Sequence, residues 1–147
     1  MDVERPLNQR GLRDAPLMGE LIFKYYPNID KFYSSHAVRA HETAKHIIQG
    51  FNRSTKEIII EHDLYHASST DFSYLINSQS DSLSCIAMFS HNPGITYFAN
   101  DFSDYYIDNV PTCGVVVLAS SADKWSDVNT ENTMIVNYYY PKKDLLI

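Results

Sequence analysis

Two hydrophobic periods alternate along this chain of 147 residues, and that alternation constrains the fold more than any other feature. Over residues 12–26 the positions Leu12, Ala15, Gly19, Ile22 and Tyr26 follow helical spacing. Pro16 is expected close to the start of that helix, because deeper inside it would remove a backbone hydrogen bond and kink the axis. Residues 28–34 read as a short strand, after which Ser34 and Ser35 offer N-cap oxygens to a second helix carrying Ala37, Ala40, Ala44, Ile47, Ile48 and Phe51. The β-branched run Ile58, Ile59, Ile60 marks a strand within 56–62. Residues 68–78 read as a helix with Ser69 or Thr70 near its start, 83–89 as an apolar strand, and 95 to about 102 as a short helix. Two last strands, 114–119 and 134–140, flank a loop rich in Ser, Asp and Asn. Such an order predicts an α/β fold of three layers, α/β/α, with a mostly parallel sheet covered by helices on both faces. Unusually, it begins with a helix.

Length allows one domain over 1–147, large enough to hide roughly 68–70% of the surface its unfolded chain exposes. Twelve basic against eighteen acidic residues give a net charge of −6, and no Lys/Arg cluster could neutralise a run of phosphates, so nucleic acid is not an expected partner. The longest apolar run, Val115 to Ala119, falls far short of the ~20 residues of a bilayer span, so no membrane is expected either. The opening residues, Met1 to Pro6, have neither the basic nor the apolar stretch of a secretory signal. Cys85 and Cys113 sit in apolar, strand-like surroundings and make no disulfide framework, which points to a reducing cytoplasm.

Open α/β sheets carry their sites at the carboxyl ends of strands, where helix N-termini offer free N–H groups and partial positive charge. Two such turns here hold suitable chemistry. In Ser34-Ser35-His36-Ala37-Val38-Arg39-Ala40, Arg39 lies in the opening turn of a helix but off its apolar stripe, where a guanidinium could fork onto a phosphate. In Ser90-His91-Asn92-Pro93-Gly94, an imidazole follows a buried strand and could donate to an oxyanion or trade a proton. The bland readings are a solvated or salt-bridging arginine and a structural histidine.

Residues Ser34-Ser35-His36-Ala37-Val38-Arg39-Ala40-His41-Glu42-Thr43-Ala44 resemble the second signature of the histidine phosphatase superfamily, and Ser90-His91-Asn92-Pro93-Gly94 its late histidine motif. The opening Glu4-Arg5-Pro6-Leu7-Asn8-Gln9-Arg10-Gly11 is similar to the stretch before the first helix of the SixA-like phosphohistidine phosphatases. The resemblance covers nearly the whole chain and implies a phosphoglycerate mutase-like fold without cofactor or metal. It also implies a phosphate pocket of two histidines and two arginines, in which one histidine attacks phosphorus and water hydrolyses the phosphoenzyme. Arg39 would be one clamping arginine and His91 the second pocket histidine, with Ser35, His36 and Asn92 contacting the substrate. Stabilising charge on the transferring oxygens carries most of phosphoryl transfer, which suits these residues.

The family's Arg-His-Gly or Arg-His-Ala triplet, at the end of its first strand, has no counterpart, since no Arg-His dipeptide occurs in the 147 residues. The nucleophile and one arginine are therefore missing, and the domain reads as N-terminally incomplete. In the family that strand lies between the strands read here as 83–89 and 114–119, so a slot is expected there. His36 stands where the family usually has proline and reads either as a surrogate nucleophile or as an exposed first-turn histidine. Glu61, Asp63 and His66 are candidate proton donors, with Asp63 chosen. His62 and His66 are spaced i, i+4, but in strand and loop that spacing does not join two metal ligands. His41 and His46 share no helix face, and the eleven tyrosines suit a core and its rim. Three readings follow. The chain is a phosphatase acting on a phosphohistidine-bearing signalling protein or a small phosphorylated substrate, inactive as it stands; or a phosphate-binding module without turnover; or an incomplete version of the protein.

Overall fold

Asn8 sets the start of the first helix. In the computed structural model, which describes residues 2–145 and so leaves Met1 outside, the Asn8 side chain accepts a hydrogen bond from Gly11 N at 2.9 Å. Helix α1 then runs Gln9–Tyr25, earlier than the apolar spacing predicts. Pro16 consequently lies inside the helix rather than near its start, a correction that follows from where the cap stands. The proline removes one helical bond, and the packed face carried by Ala15, Met18 and Ile22 outweighs that loss.

The remaining elements are β1 (Lys31–Ser34), α2 (Val38–Gly50), β2 (Ile58–Ile60), α3 (Ser69–Asn77), β3 (Ile86–Phe89), α4 (Gly94–Asn100), β4 (Val115–Ser120), β5 (Thr133–Tyr139) and a closing turn of helix α5 (Pro141–Asp144). The expected strands and helices are all present, most with shorter limits, while β4 and β5 keep their predicted lengths and are each displaced by one residue. Ser68 caps α3 with a reciprocal capping box, its hydroxyl accepting from Asp71 N while the Asp71 carboxylate accepts from Ser68 N. Helix α2 has no side-chain cap. Its N-cap is Ala37, whose own N donates to Ser35 Oγ two residues earlier.

Three strands form a parallel sheet in the order β2-β1-β3, as the alternating pattern predicts. Neighbouring residues of β1 point to opposite faces: Phe32 joins Met18, Ile47, Ile48 and Phe51 beneath α1 and α2, while Tyr33 joins Leu64, Phe72 and Phe98 beneath α3 and α4. Helices thus cover both faces. Helices α1 and α2 approach closely at Gly19, where a Cβ would stand 2.1 Å from the carbonyl oxygen of Ile47. At the other end of the sheet strands, Asp30 ties β1 to β3, its carboxylate accepting from Ser84 N at 2.7 Å and Cys85 N at 3.0 Å. These bonds hold its pKa below the usual value.

Strands β4 and β5 form a separate antiparallel pair with a register shift between Val117 and Leu118. β3 does not pair with β4. Between them lies a cavity of about 820 Å³, bordered along its length by residues of both strands. All four residues of β3 remain half-buried, although helices cover both faces of the sheet. The gap therefore occupies the place where the family's first strand is expected.

Hydrogen bonds brace the gap at both ends. Beyond the carboxyl end of β3, Asn92 Nδ2 donates to the Val110 carbonyl at 2.7 Å and to Asn109 Oδ1 at 3.0 Å, just ahead of β4. Before β3, the Leu83 carbonyl and the Asp81 carboxylate accept from Trp125 Nε1 at 2.8 Å and Trp125 N at 3.0 Å, just after β4. The end of one strand thus lies beside the start of the other, so β3 and β4 run in opposite directions. No helix among the described residues is long and apolar enough to cross a membrane.

Candidate functional site

Because β1, β2 and β3 are parallel, their carboxyl ends share one edge, and the three turns that follow them meet there. Ser34 and Ser35 are fully buried at the centre of that edge. The Ser34 carbonyl accepts from Glu61 N at 2.8 Å, and Ser35 N donates to the Phe89 carbonyl at 3.0 Å, which locks the first turn to the ends of its two neighbours. Ser35 Oγ is taken up by Ala37 N at 3.3 Å. The serine therefore shapes the turn, and its hydroxyl does not face solvent as a direct substrate contact would require.

Arg39, in the first turn of α2, is half-buried and borders the cavity together with Ser90, His91 and Asn92. None of the ion pairs among the described residues involves its guanidinium. Ser90 Oγ donates to the Leu64 carbonyl, anchoring the third turn on the second. Asn92 has a different task from the one its position suggests. Its amide gives both N–H bonds to the Val110 and Asn109 oxygens, and its oxygen accepts from Thr96 Oγ1 at 2.6 Å and Thr96 N at 3.3 Å. An amide can make little more than these four bonds, so the substrate contact expected of Asn92 gives way to bracing.

His36 stands on the outer side of the same edge and is not among the residues bordering the cavity. Its Nδ1 lies 2.9 Å from His62 Nδ1, a hydrogen bond in which one ring donates and the other accepts. The Tyr65 ring separates His36 from His91, with centroids 5.0 Å and 5.3 Å away, and His66 packs 5.3 Å from His91 at a backbone φ of 51°. Four of the six histidines thus gather at one edge. Sequence spacing did not reveal His62 and Tyr65, because neither i, i+4 counting nor strand period reports which turns converge. The strand-end rule that singled out Arg39 and His91 applies equally to the turn after β2 and would have found them. Asp63, on that turn, is exposed. Among the described residues no group of three or more His, Cys, Asp or Glu is arranged to hold a metal ion.

The carboxyl edge of this parallel sheet carries an arginine in a helix's first turn and a strand-end histidine, residue types whose chemistry suits an oxyanion. The Histidine phosphatase superfamily (branch 1) matches residues 2–73. An uncharacterized protein of Mycobacterium leprae is 30% identical over 151 aligned residues that span 96% of this chain and 89% of that protein. One from Mycobacterium tuberculosis is 26% identical over the same share of this chain and 92% of its own length. The chain belongs to the histidine phosphatase superfamily. Its fold matches solved SixA structures: one complexed with tungstate (TM-score 0.80, 17% identity, 97% of this chain and 88% of that one) and one from Agrobacterium tumefaciens (TM-score 0.73, 21% identity, 96% and 87%).

Proposed function

We propose that Arg39 and His91 hold the phosphoryl group of a phosphohistidine carried on a signalling protein, in the manner of a SixA-like phosphatase. One observation carries this reading: the two side chains come from the ends of different strands, far apart in sequence, yet border one cavity at one edge of the sheet. Arg39 forks onto two phosphoryl oxygens while His91 donates to the third or to the bridging position. A protein of the same fold, SixA, was solved in complex with tungstate, a tetrahedral oxyanion, which supports an anion site in a chain of this fold. Turnover requires more. A nucleophile must attack phosphorus as the P–N bond breaks and the leaving imidazole nitrogen takes a proton, and the family supplies that nucleophile from an Arg-His strand absent from these 147 residues. The chain by itself is accordingly a phosphate-binding domain without appreciable turnover, and two free thiols suit a reducing cytoplasm.

Tungstate binding followed by calorimetry tests the assignment. Arg39→Ala should weaken binding on the order of ten- to a hundredfold, and Arg39→Lys should recover part of it, as expected when one charge-assisted fork is lost. Thermal unfolding shared with the parent chain serves as the folding control. Unchanged affinity in Arg39→Ala and His91→Gln together would remove the site. Efficient release of phosphate from a phosphohistidine protein, lost in His36→Ala, would make His36 the nucleophile and end the reading of an inactive chain.

A further inference from the structure

His62 meets a histidine 26 residues away rather than His66 on its own turn. Its Nδ1 lies 2.9 Å from His36 Nδ1, with the ring centroids 4.5 Å apart and the ring planes at 45°. A straight N–H···N bond of that length would part the centroids by about 5.2 Å, since each centroid stands about 1.15 Å behind its nitrogen. A proton shared by the pair explains the contact but leaves its bend unexplained. Two imidazoles bound cis to one metal ion, with metal–nitrogen bonds of about 2.0–2.1 Å meeting at about 90°, have their nitrogens about 2.9 Å and their centroids about 4.5 Å apart. The observed pair matches both separations. An anion fits less well, because an oxygen about 2.7–3.2 Å from both nitrogens would crowd the two N–H groups together at about 60°.

The two rings are set by their turns before any ion arrives. The Ser34 carbonyl accepts from Glu61 N at 2.8 Å, which ties the end of β1 to the residue before His62. Tyr65 N donates to the His62 carbonyl at 3.0 Å, and the Tyr65 ring packs on His36 with centroids 5.0 Å apart. Ligands fixed in advance lose little entropy on binding. His62 is exposed, so water can fill the other coordination positions. Glu61 and Asp63 flank His62 in the chain, and with the net charge of −6 they favour a cation. Nitrogen donors at a right angle suit the tetragonal geometry of copper(II) and nickel(II). We propose that His36 and His62 bind one late first-row divalent cation, nickel(II) or copper(II), through their Nδ1 atoms and so clamp the turn after β1 to the turn after β2. Each Nδ1 gives a lone pair to the ion. The proton between the two nitrogens leaves Nδ1, and the ring that held it takes a proton at Nε2 instead. The inference stands apart from the phosphate reading, because neither histidine borders the cavity that Arg39 and His91 share.

The test titrates the untagged 147-residue chain with nickel(II) chloride, followed by calorimetry. One ion should bind per chain and raise the unfolding temperature, as a ligand of the folded state does. His36→Ala and His62→Gln should each weaken binding on the order of a hundredfold, the loss expected when one ring of a chelating pair is removed. His41→Ala and His46→Ala, on α2, should leave it unchanged. Spin-echo spectra of the copper(II) form should show two coordinated imidazoles in the parent and one in His62→Gln. Equal unfolding temperatures in the presence of a chelator serve as the folding control, and if His36→Ala fails it, the exposed His62→Gln carries the test. Absence of saturable nickel binding, unchanged affinity in His62→Gln, or a single imidazole in the parent's copper spectrum would each overturn the proposal. Tungstate binding should persist in His62→Gln and nickel binding in Arg39→Ala, so that failure of one site is read separately from failure of the other.

Discussion

Cys113 lies buried just ahead of β4 with a backbone φ of 63°. Burial first, and the nearby Asp14 carboxylate second, push its pKa from 9.0 up to about 12. A raised pKa means that the folded chain keeps the proton to higher pH than the unfolded chain does. The stabilising contribution is whole below about 9 and is lost progressively as pH rises from there towards about 12. Unfolding temperatures measured from pH 8 to 10.5 should therefore fall less steeply for Cys113→Ala than for the parent, and parallel slopes would contradict this account. Reading the sequence placed Cys113 correctly as a buried hydrophobe. It could not show what Asn92 bonds to, because the four bonds to Val110, Asn109 and Thr96 join residues distant in the chain or a turn away.

At the level of elements, the spacing of Ala40, Ala44, Ile47 and Ile48 made α2 legible, since an apolar stripe of period 3.6 needs a covered face. The start of α1 was not, because a cap at Asn8 precedes the first apolar position and overrides the expectation placed on Pro16. Nor does sequence say why Gly19 is a glycine. The reason is the crossing of α1 over α2, where a Cβ would meet the Ile47 carbonyl oxygen at 2.1 Å and the Ile47 carbonyl carbon at 2.9 Å. Backbone cannot yield as a flexible side chain does, so the helices must separate. Gly19→Ala should cost about 1–3 kcal/mol despite the better helix propensity of alanine, measured by urea denaturation. A stabilised variant would show that the helices do not pack so closely.

For the whole molecule, two half-sheets held apart at braced ends create exposed edge chemistry that isolated domains normally cover. Chains with such edges associate. Sedimentation of the 147-residue chain should show concentration-dependent self-association. A monomer unchanged over a wide concentration range would mean that the gap closes in solution.

Sequence by itself determined the class of fold and the family, because hydrophobic period and strand-end motifs are local and survive in a string of letters. Tertiary structure alone decided that β4 and β5 stand off as a separate pair, that Asn92 and Trp125 brace the opening, and that His36 meets His62 across two turns. Those outcomes depend on which strand edges find partners and which turns converge, and both are relations between residues that no local pattern records.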